Sequence, residues 1–388
     1  MNTPPLTTPE VIHSKRIASI DILRGLVMLF MLVDHVRERF FYHLNVSDPM
    51  DLDATSPQLF FTRISAHLCA PVFVFLTGLS AWLYAHPANK APRSATPFLF
   101  KRGLFIIFVE IAIINWLWLG TYDTLYLQVM WAIGISMVSL SVLSKLPPKL
   151  ILAMGLLIVC GHNLLSPIAF NPGEAGYNIW AVLHDRGIIF ESETFRIKAS
   201  YPVLPWIGVI LLGYSMGPIY ARDYDGAKRR KTLTTLALSM WGLLIVLRST
   251  NLYGEVLPFE IQDTAVQSVM SFINYTKYPP SLDYVLFTLG AAFLILVGLD
   301  KVNNQYSKVI ENFGSAPMFF YILHLAVLLV LYRIAINVWG PNHGDMFAFD
   351  DVWQIWAGAV VLGVTLYFPT KAFSAFKKKS GNPLIKYF

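Results

Sequence analysis

Charge is scarce in this chain. Only 14% of its 388 residues are Asp, Glu, Lys or Arg, against 55% hydrophobic, where a soluble domain carries roughly a quarter charged residues. That shortage excludes a disordered chain, a nucleic-acid-binding protein and an ordinary cytosolic enzyme. Cysteine is nearly missing. Cys69 and Cys160 both lie in apolar runs, which argues against a disulfide framework and against a metal knuckle. HExxH, P-loop, GxSxG and CxxC patterns are absent. No cluster of Asp and Glu suggests a metal, so no metal and no nucleic-acid partner is expected. The polar start of the chain lacks the short apolar core and cleavage site of a signal peptide.

What is present is apolar length. Runs of about twenty apolar residues recur throughout, and in a bilayer such runs become helices that satisfy their own backbone. The expected fold is all-α: a polytopic integral membrane helical bundle of about ten transmembrane helices, with membrane lipid as its surroundings. The spans are read as 18–37, 62–85, 102–120, 126–144, 149–168, 202–220, 232–250, 282–300, 313–338 and 352–372. Twenty of the 30 lysines and arginines fall in one alternating set of connections and eight in the other. Positive charge is retained inside, so both termini are expected to be cytoplasmic. The net charge of +6 then reflects loop asymmetry. Residues 1–17 form a cytoplasmic segment, 18–372 the membrane domain and 373–388 a basic cytoplasmic tail. Lys377, Lys378 and Lys379 read as an anchor to anionic lipid. The connections 169–201 and 251–281 are long, aromatic and charged, and such loops pack or bind something.

Charged residues inside spans are costly unless they meet a partner or water. In the first span Arg24 and His35 are eleven residues apart, close to three helical turns. They therefore project from one face, about 16 Å apart along the axis. A cation at one end of a stripe and a titratable base at the other suit a substrate that enters from the cytoplasm and reacts toward the exterior. The alternative is a snorkelling arginine and an interfacial histidine. Asp34 adjoins His35, and Arg37 follows. In the second span Arg63 and His67 are i,i+4 neighbours, with His67 close in depth to His35. Tyr321 and His324 share a face of the ninth span, and Lys277 precedes a double proline that enters the eighth. Histidine and aspartate are the acid–base groups, which leaves proton transfer, ion coupling or acyl transfer. A proton-coupled solute transporter with an Asp/His/Arg relay is one reading, although no pair of internally repeated halves is visible. A lipid- or polysaccharide-assembly partner without turnover is another.

Two stretches carry a resemblance. Arg16 to Leu26, containing Asp21, Arg24 and Gly25, followed by Asp34-His35, resembles the opening of transmembrane acyltransferases. His67-Leu-Cys-Ala-Pro71-Val-Phe-Val-Phe-Leu-Thr-Gly78 is similar to the second helix of the heparan-α-glucosaminide N-acetyltransferase catalytic family, in a bacterial branch of it. Gln128 to Gly134, Tyr201 to Gly208 and Lys277 to Leu282 fit the same branch. The resemblance covers about residues 14–375.

It implies a multi-pass protein of the bacterial cytoplasmic (inner) membrane that transfers an acyl group, usually acetyl. Acetyl-CoA or another acyl-CoA would be the cytoplasmic donor, and a hydroxyl or amine of an extracytoplasmic glycan or glycolipid the acceptor. In the wider acyltransferase group the position of His35 is a histidine. In the heparan enzyme it is an asparagine, with the important histidine in a following His-x-x-Trp loop. Here that loop has His43 and no such motif, and His67 stands where the heparan branch has an aspartate. The expected catalytic residues are His35 as general base, Asp34 orienting it or supporting it electrostatically, and His67. Arg24, Arg37, Arg63, Lys277, Tyr321 and His324 are expected to bind substrate. Arg24, Lys101 and Arg102 are expected to receive the CoA phosphates. Self-association as a homodimer is left open.

Overall fold

The computed structural model describes residues 18–382 and 385–388. The expected cytoplasmic segment 1–17, including Lys15 and Arg16, lies outside the described residues, as does the Lys386 side chain. The first helix, α1, is Ala18–Phe40. Next, α2 (Pro57–Ser65) passes through a 3-10 turn, Ala66–Leu68, into α3 (Cys69–Ala85). α4 (Thr96–Val109) passes through a π turn, Glu110–Ile114, into α5 (Asn115–Leu119). Strand β1 (Thr124–Leu127) leads into α6 (Val129–Leu143), and α7 (Pro148–Gly161) follows. α8 (Tyr177–Leu183), β2 (Gly187–Glu191) and β3 (Arg196–Ala199) precede α9 (Leu204–Ser215) and α10 (Gly226–Thr250). α11 (Ala265–Ile273), α12 (Leu282–Leu299), α13 (Gln305–Ser315), α14 (Pro317–Trp339) and α15 (Val352–Lys379) complete the order.

Local chemistry explains these boundaries. The Ser56 side chain accepts from Leu59 N and Pro57 opens α2, where a missing N–H costs nothing. Ser281 caps α12 in the same way, and α13 and α15 begin with capping boxes at Asn304/Ser307 and Asp351/Gln354. Such caps satisfy amides that have no partner within the helix.

Helix overlies every segment expected to span, and six stretches are long and apolar enough to cross a membrane: Pro57–Ala85, Pro148–Leu165, Gly226–Thr250, Leu282–Leu299, Pro317–Trp339 and Val352–Lys379. α6 and α9 are apolar but shorter, α4 is interrupted by its π turn, and α1 carries several charges. Exposed Leu238, Leu243, Ile245 and Val246 on α10, and Val360, Val361, Val364 and Phe368 on α15, form faces that hydrocarbon would solvate and water would not.

The all-α expectation needs one amendment. A small three-stranded sheet, order β1-β3-β2, joins the connection before α6 to the one before α9. β1 pairs parallel to β3, and β2 antiparallel to it. The long connection 169–201 thus packs into α8 and two strands. The helix expected from residue 126 begins at Val129, because Thr124–Leu127 is strand. α15 also runs on as helix to Lys379, past the expected end of the span at 372.

Two glycine pairs set the closest helix contacts. A Cβ on Gly25 of α1 would overlap the Ile310 carbonyl, and one on Gly314 of α13 would overlap the Asp21 carbonyl. Gly78 of α3 and Gly213 of α9 meet the partner backbone in the same reciprocal way. Without a water-driven term between helices in lipid, such close approach is a main source of association energy. It draws α13 onto the Arg24 end of α1.

Candidate active site

α1, α3, α4, α6, α14 and α15 surround a cavity of about 340 Å³. Both Arg24 and His35 line it, so the stripe expected from helical spacing faces a hollow. Near Arg24 the wall includes Thr77, Ser80, Tyr84, Phe98, Arg102, Ser315 and Lys377; near His35 it includes Asp34, Cys69, Tyr201, Lys277 and Tyr321.

The Arg24 end is built for fixed positive charge. Arg24 donates to Asp21 Oδ1 at 2.6 Å, to the Gly314 carbonyl at 3.2 Å and to Ser80 Oγ at 3.3 Å. The Tyr84 and Phe98 rings stack beside it, 4.4 Å apart. Lys377 Nζ donates to the Ser315 carbonyl at 3.4 Å and to the Phe388 carbonyl at 2.7 Å. The lysine expected to meet lipid thus lines the cavity, whereas Lys378 and Lys379 are exposed. Arg102 lines the cavity. Lys101 is exposed and off the wall, because its neighbouring position on α4 points about 100° away.

At the other end His35 is held by a residue 289 positions away. His35 Nδ1 and His324 Nε2 are 2.6 Å apart, with 18° between the ring planes. His324 Nδ1 lies 2.7 Å from the Phe320 carbonyl. A carbonyl only accepts, so His324 carries its proton on Nδ1, and Nε2 of the neutral ring accepts. His35 Nδ1–H therefore donates to His324. His35 Nε2 is left with its lone pair and without a hydrogen-bond partner among the described residues, in a ring that lines the cavity. These proton positions are assigned from the partners, as is usual for histidine. Trp118 and Tyr321 contact the His35 ring edge-on, at centroid distances of 4.9 and 5.6 Å.

Asp34 makes no hydrogen bond to His35, so of its two expected roles only electrostatic support is open to it. Its Oδ1 accepts from Arg37 Nε at 2.9 Å and its Oδ2 from Arg63 Nη1 at 2.5 Å. All three side chains are buried, and Arg37 also reaches Glu38 at 3.1 Å. Arg37 and Arg63 are off the cavity wall. The Arg63–Asp34 pair ties α2 to α1, and Arg37 joins Asp34 and Glu38 along α1 itself. His324 is likewise off the wall, behind His35.

His67 departs furthest from the expected site. Its ring is buried against Tyr284 at 5.2 Å, its carbonyl accepts from Tyr284 Oη at 2.7 Å, and it does not line the cavity. It sits in the 3-10 turn Ala66–Leu68, between α2 and α3. Cys69 takes the wall instead, donating from Sγ to the Val27 carbonyl at 3.1 Å.

Other isolated polar residues have structural tasks. Glu110, in the π turn, accepts from Met130 N at 3.1 Å and so caps α6. Asn163 accepts from Leu282 N at 2.9 Å. Arg248 donates to the carbonyls of Leu257, Ser271, Phe272 and Asn274.

The family model described as "Heparan-alpha-glucosaminide N-acetyltransferase, catalytic" matches residues 16–254. The chain belongs to this family. The matched segment contains Arg24, Asp34, His35, Arg102 and Tyr201 of the cavity wall; Lys277, Tyr321, His324 and Lys377 come after it. No curated protein matches the chain. Membership in the heparan-α-glucosaminide N-acetyltransferase catalytic family carries acyltransferase activity in general, a membrane setting and donors of the acetyl-CoA type. It does not favour the transporter reading.

Proposed function

We propose that the protein moves an acetyl group from cytoplasmic acetyl-CoA, through the cavity, to a sugar hydroxyl or amine on the far side of a bacterial inner membrane. Ten spans with both termini inside would put Arg24 toward the cytoplasm and His35 toward the exterior. The excess of lysine and arginine in the alternate connections supports that orientation.

The single observation that carries this reading is the hollow shared by Arg24 and His35. Arg24, Arg102 and Lys377 supply positive charge for the phosphates of the donor, and the Tyr84–Phe98 pair gives its base a flat apolar neighbour. The pantetheine arm would run along α1 toward His35. There, His35 Nε2 takes the proton of the acceptor while the acceptor heteroatom attacks the thioester carbonyl. When the C–S bond breaks, the proton passes from His35 to the departing CoA sulfur. His324 keeps the His35 lone pair aimed inward, a positioning role. General-base help of this kind contributes typically 10²–10⁴-fold.

The test is acetyl transfer by purified His35→Ala protein. Turnover should fall by at least about 10², with the thermal stabilisation given by CoA retained. Unchanged turnover would remove His35 from the reaction.

A further inference from the structure

Four cations are buried among the described residues: Arg37, Arg63, Arg248 and Lys277. Three are neutralised or solvated by protein. Arg37 and Arg63 share Asp34, and Arg248 is wrapped by four carbonyls. Lys277 differs. It is 5% exposed, lines the cavity and has no ion pair or hydrogen bond from its ammonium among the described residues. Its ammonium lies 5.2 Å over the face of Tyr278 and within electrostatic reach of Asp34 and Glu38, carboxylates that already pair with Arg37 and Arg63. A buried ammonium has three donors to satisfy and a large desolvation cost.

Two further acids hold the main chain of this loop. Asp48 accepts from the backbone amides of Lys277 at 3.2 Å and Tyr278 at 3.0 Å. Glu255 accepts from Thr276 N and Oγ1 and from Ser281 Oγ. These bonds hold the main chain on both sides of Lys277 and leave its side chain directed at the hollow. Tyr201, also on the wall, bonds through its hydroxyl to that of Tyr278 at 3.0 Å. An aromatic face and a fixed ammonium thus stand together at the His35 end.

Resting on the acyl-transfer reading, we propose that the acceptor is an anionic hydroxyl compound whose carboxylate or phosphate group pairs with Lys277. A charge-assisted bond in this buried setting is strong and short-ranged, so it fixes which hydroxyl meets His35. The same ammonium repels a protonated amino sugar, since like charges brought together out of water are costly.

The experiment uses the full chain in nanodiscs with CoA present. Binding of glucuronate, glucose 6-phosphate, glucose and glucosamine is measured for the native protein, Lys277→Met and Lys277→Arg. Either anionic probe should bind at least tenfold more tightly than glucose, and glucosamine no better than glucose. Lys277→Met should lose the preference and Lys277→Arg keep much of it. A lead of glucuronate over the phosphate assigns a carboxylate acceptor, and the reverse a phosphorylated one. No binding of either anionic probe, binding equal to that of glucose, or an undiminished preference in Lys277→Met overturns the proposal. CoA stabilisation is read separately. Its absence in the native protein would undermine the acyl-transfer reading itself, whereas its presence with a failed anion preference rejects only the Lys277 proposal.

Discussion

His324 Nε2 stands 2.6 Å from His35 Nδ1, while Asp34, the residue before His35, gives both of its oxygens to Arg37 and Arg63. The histidine on the cavity wall is thus aimed by another histidine, and the adjacent carboxylate is a structural counter-ion. The two acid–base candidates of the first helix consequently have different tasks, and their variants should fail in different ways.

Replacing His324 by alanine removes one hydrogen bond that fixes the His35 tautomer. A net loss of about 1–1.5 kcal/mol corresponds to roughly a tenfold lower kcat, with donor KM little changed. Gln, whose carbonyl oxygen can accept from His35 Nδ1–H, should recover part of the loss. Steady-state kinetics of both variants decide this; an equal fall in stability and activity with no recovery by Gln would mean that His324 only packs.

Asp34→Ala should act on folding first. It leaves two buried arginines with only Glu38, 3.1 Å from Arg37 and 4.0 Å from Arg63, between them; losing one partner of a buried ion pair costs up to about 3–5 kcal/mol. Thermal unfolding in detergent should drop sharply for Asp34→Ala and hardly at all for His35→Ala. Similar midpoints for the two would show that the arginines find other partners.

Gly25→Ala should loosen the seat of α13 on α1, because its Cβ would run into the Ile310 carbonyl. Overpacking of this kind costs typically 1–3 kcal/mol. Since Arg24 also donates to the Gly314 carbonyl across this contact, CoA affinity should weaken together with stability. A pair of titrations, one thermal and one with CoA, checks this; unchanged values in both would show that α13 moves aside freely.

Acid should weaken the contact between the segments after α1 and α14. His43 stacks on His343 with 4.0 Å between centroids, and His343 Nε2 lies 3.0 Å from Asp350 Oδ1. Partial burial and the His343 neighbour hold His43 below the usual histidine value of 6.5, against the pull of Asp350. The unfolded chain then binds more protons than the folded one, so stability falls as pH drops from about 6.5 toward the folded value and is flat above it. A melting series from pH 7.5 to 5 should show this slope, reduced in His43→Gln. An identical slope in that variant would assign it to other groups.

The first helix was the most legible part of the site. Arg24 and His35 lie on one uninterrupted helix, so a spacing of eleven residues was enough to put both on a single face. Geometry between helices was not legible. His324 reaches His35 from α14, and Lys377 reaches the same hollow from α15 although its run of three lysines reads as a lipid anchor. His67, in the 3-10 turn before α3, packs on Tyr284 of α12, a contact between helices that spacing along one helix does not show. Arg37 and Arg63, expected to bind substrate, pair with Asp34 and lie off the cavity wall, an arrangement between α1 and α2 that spacing along one helix does not show. The small sheet escaped because its strands are four or five residues long and are set between loops rather than in an alternating apolar run.

The most direct test of the central claim is a structure with a non-hydrolysable acetyl-CoA analogue bound. The phosphates should lie against Arg24, Arg102 and Lys377, the pantetheine arm along α1, and the acyl carbonyl beside His35 Nε2. An analogue bound outside this hollow, or one whose acyl end points away from His35, would contradict the account.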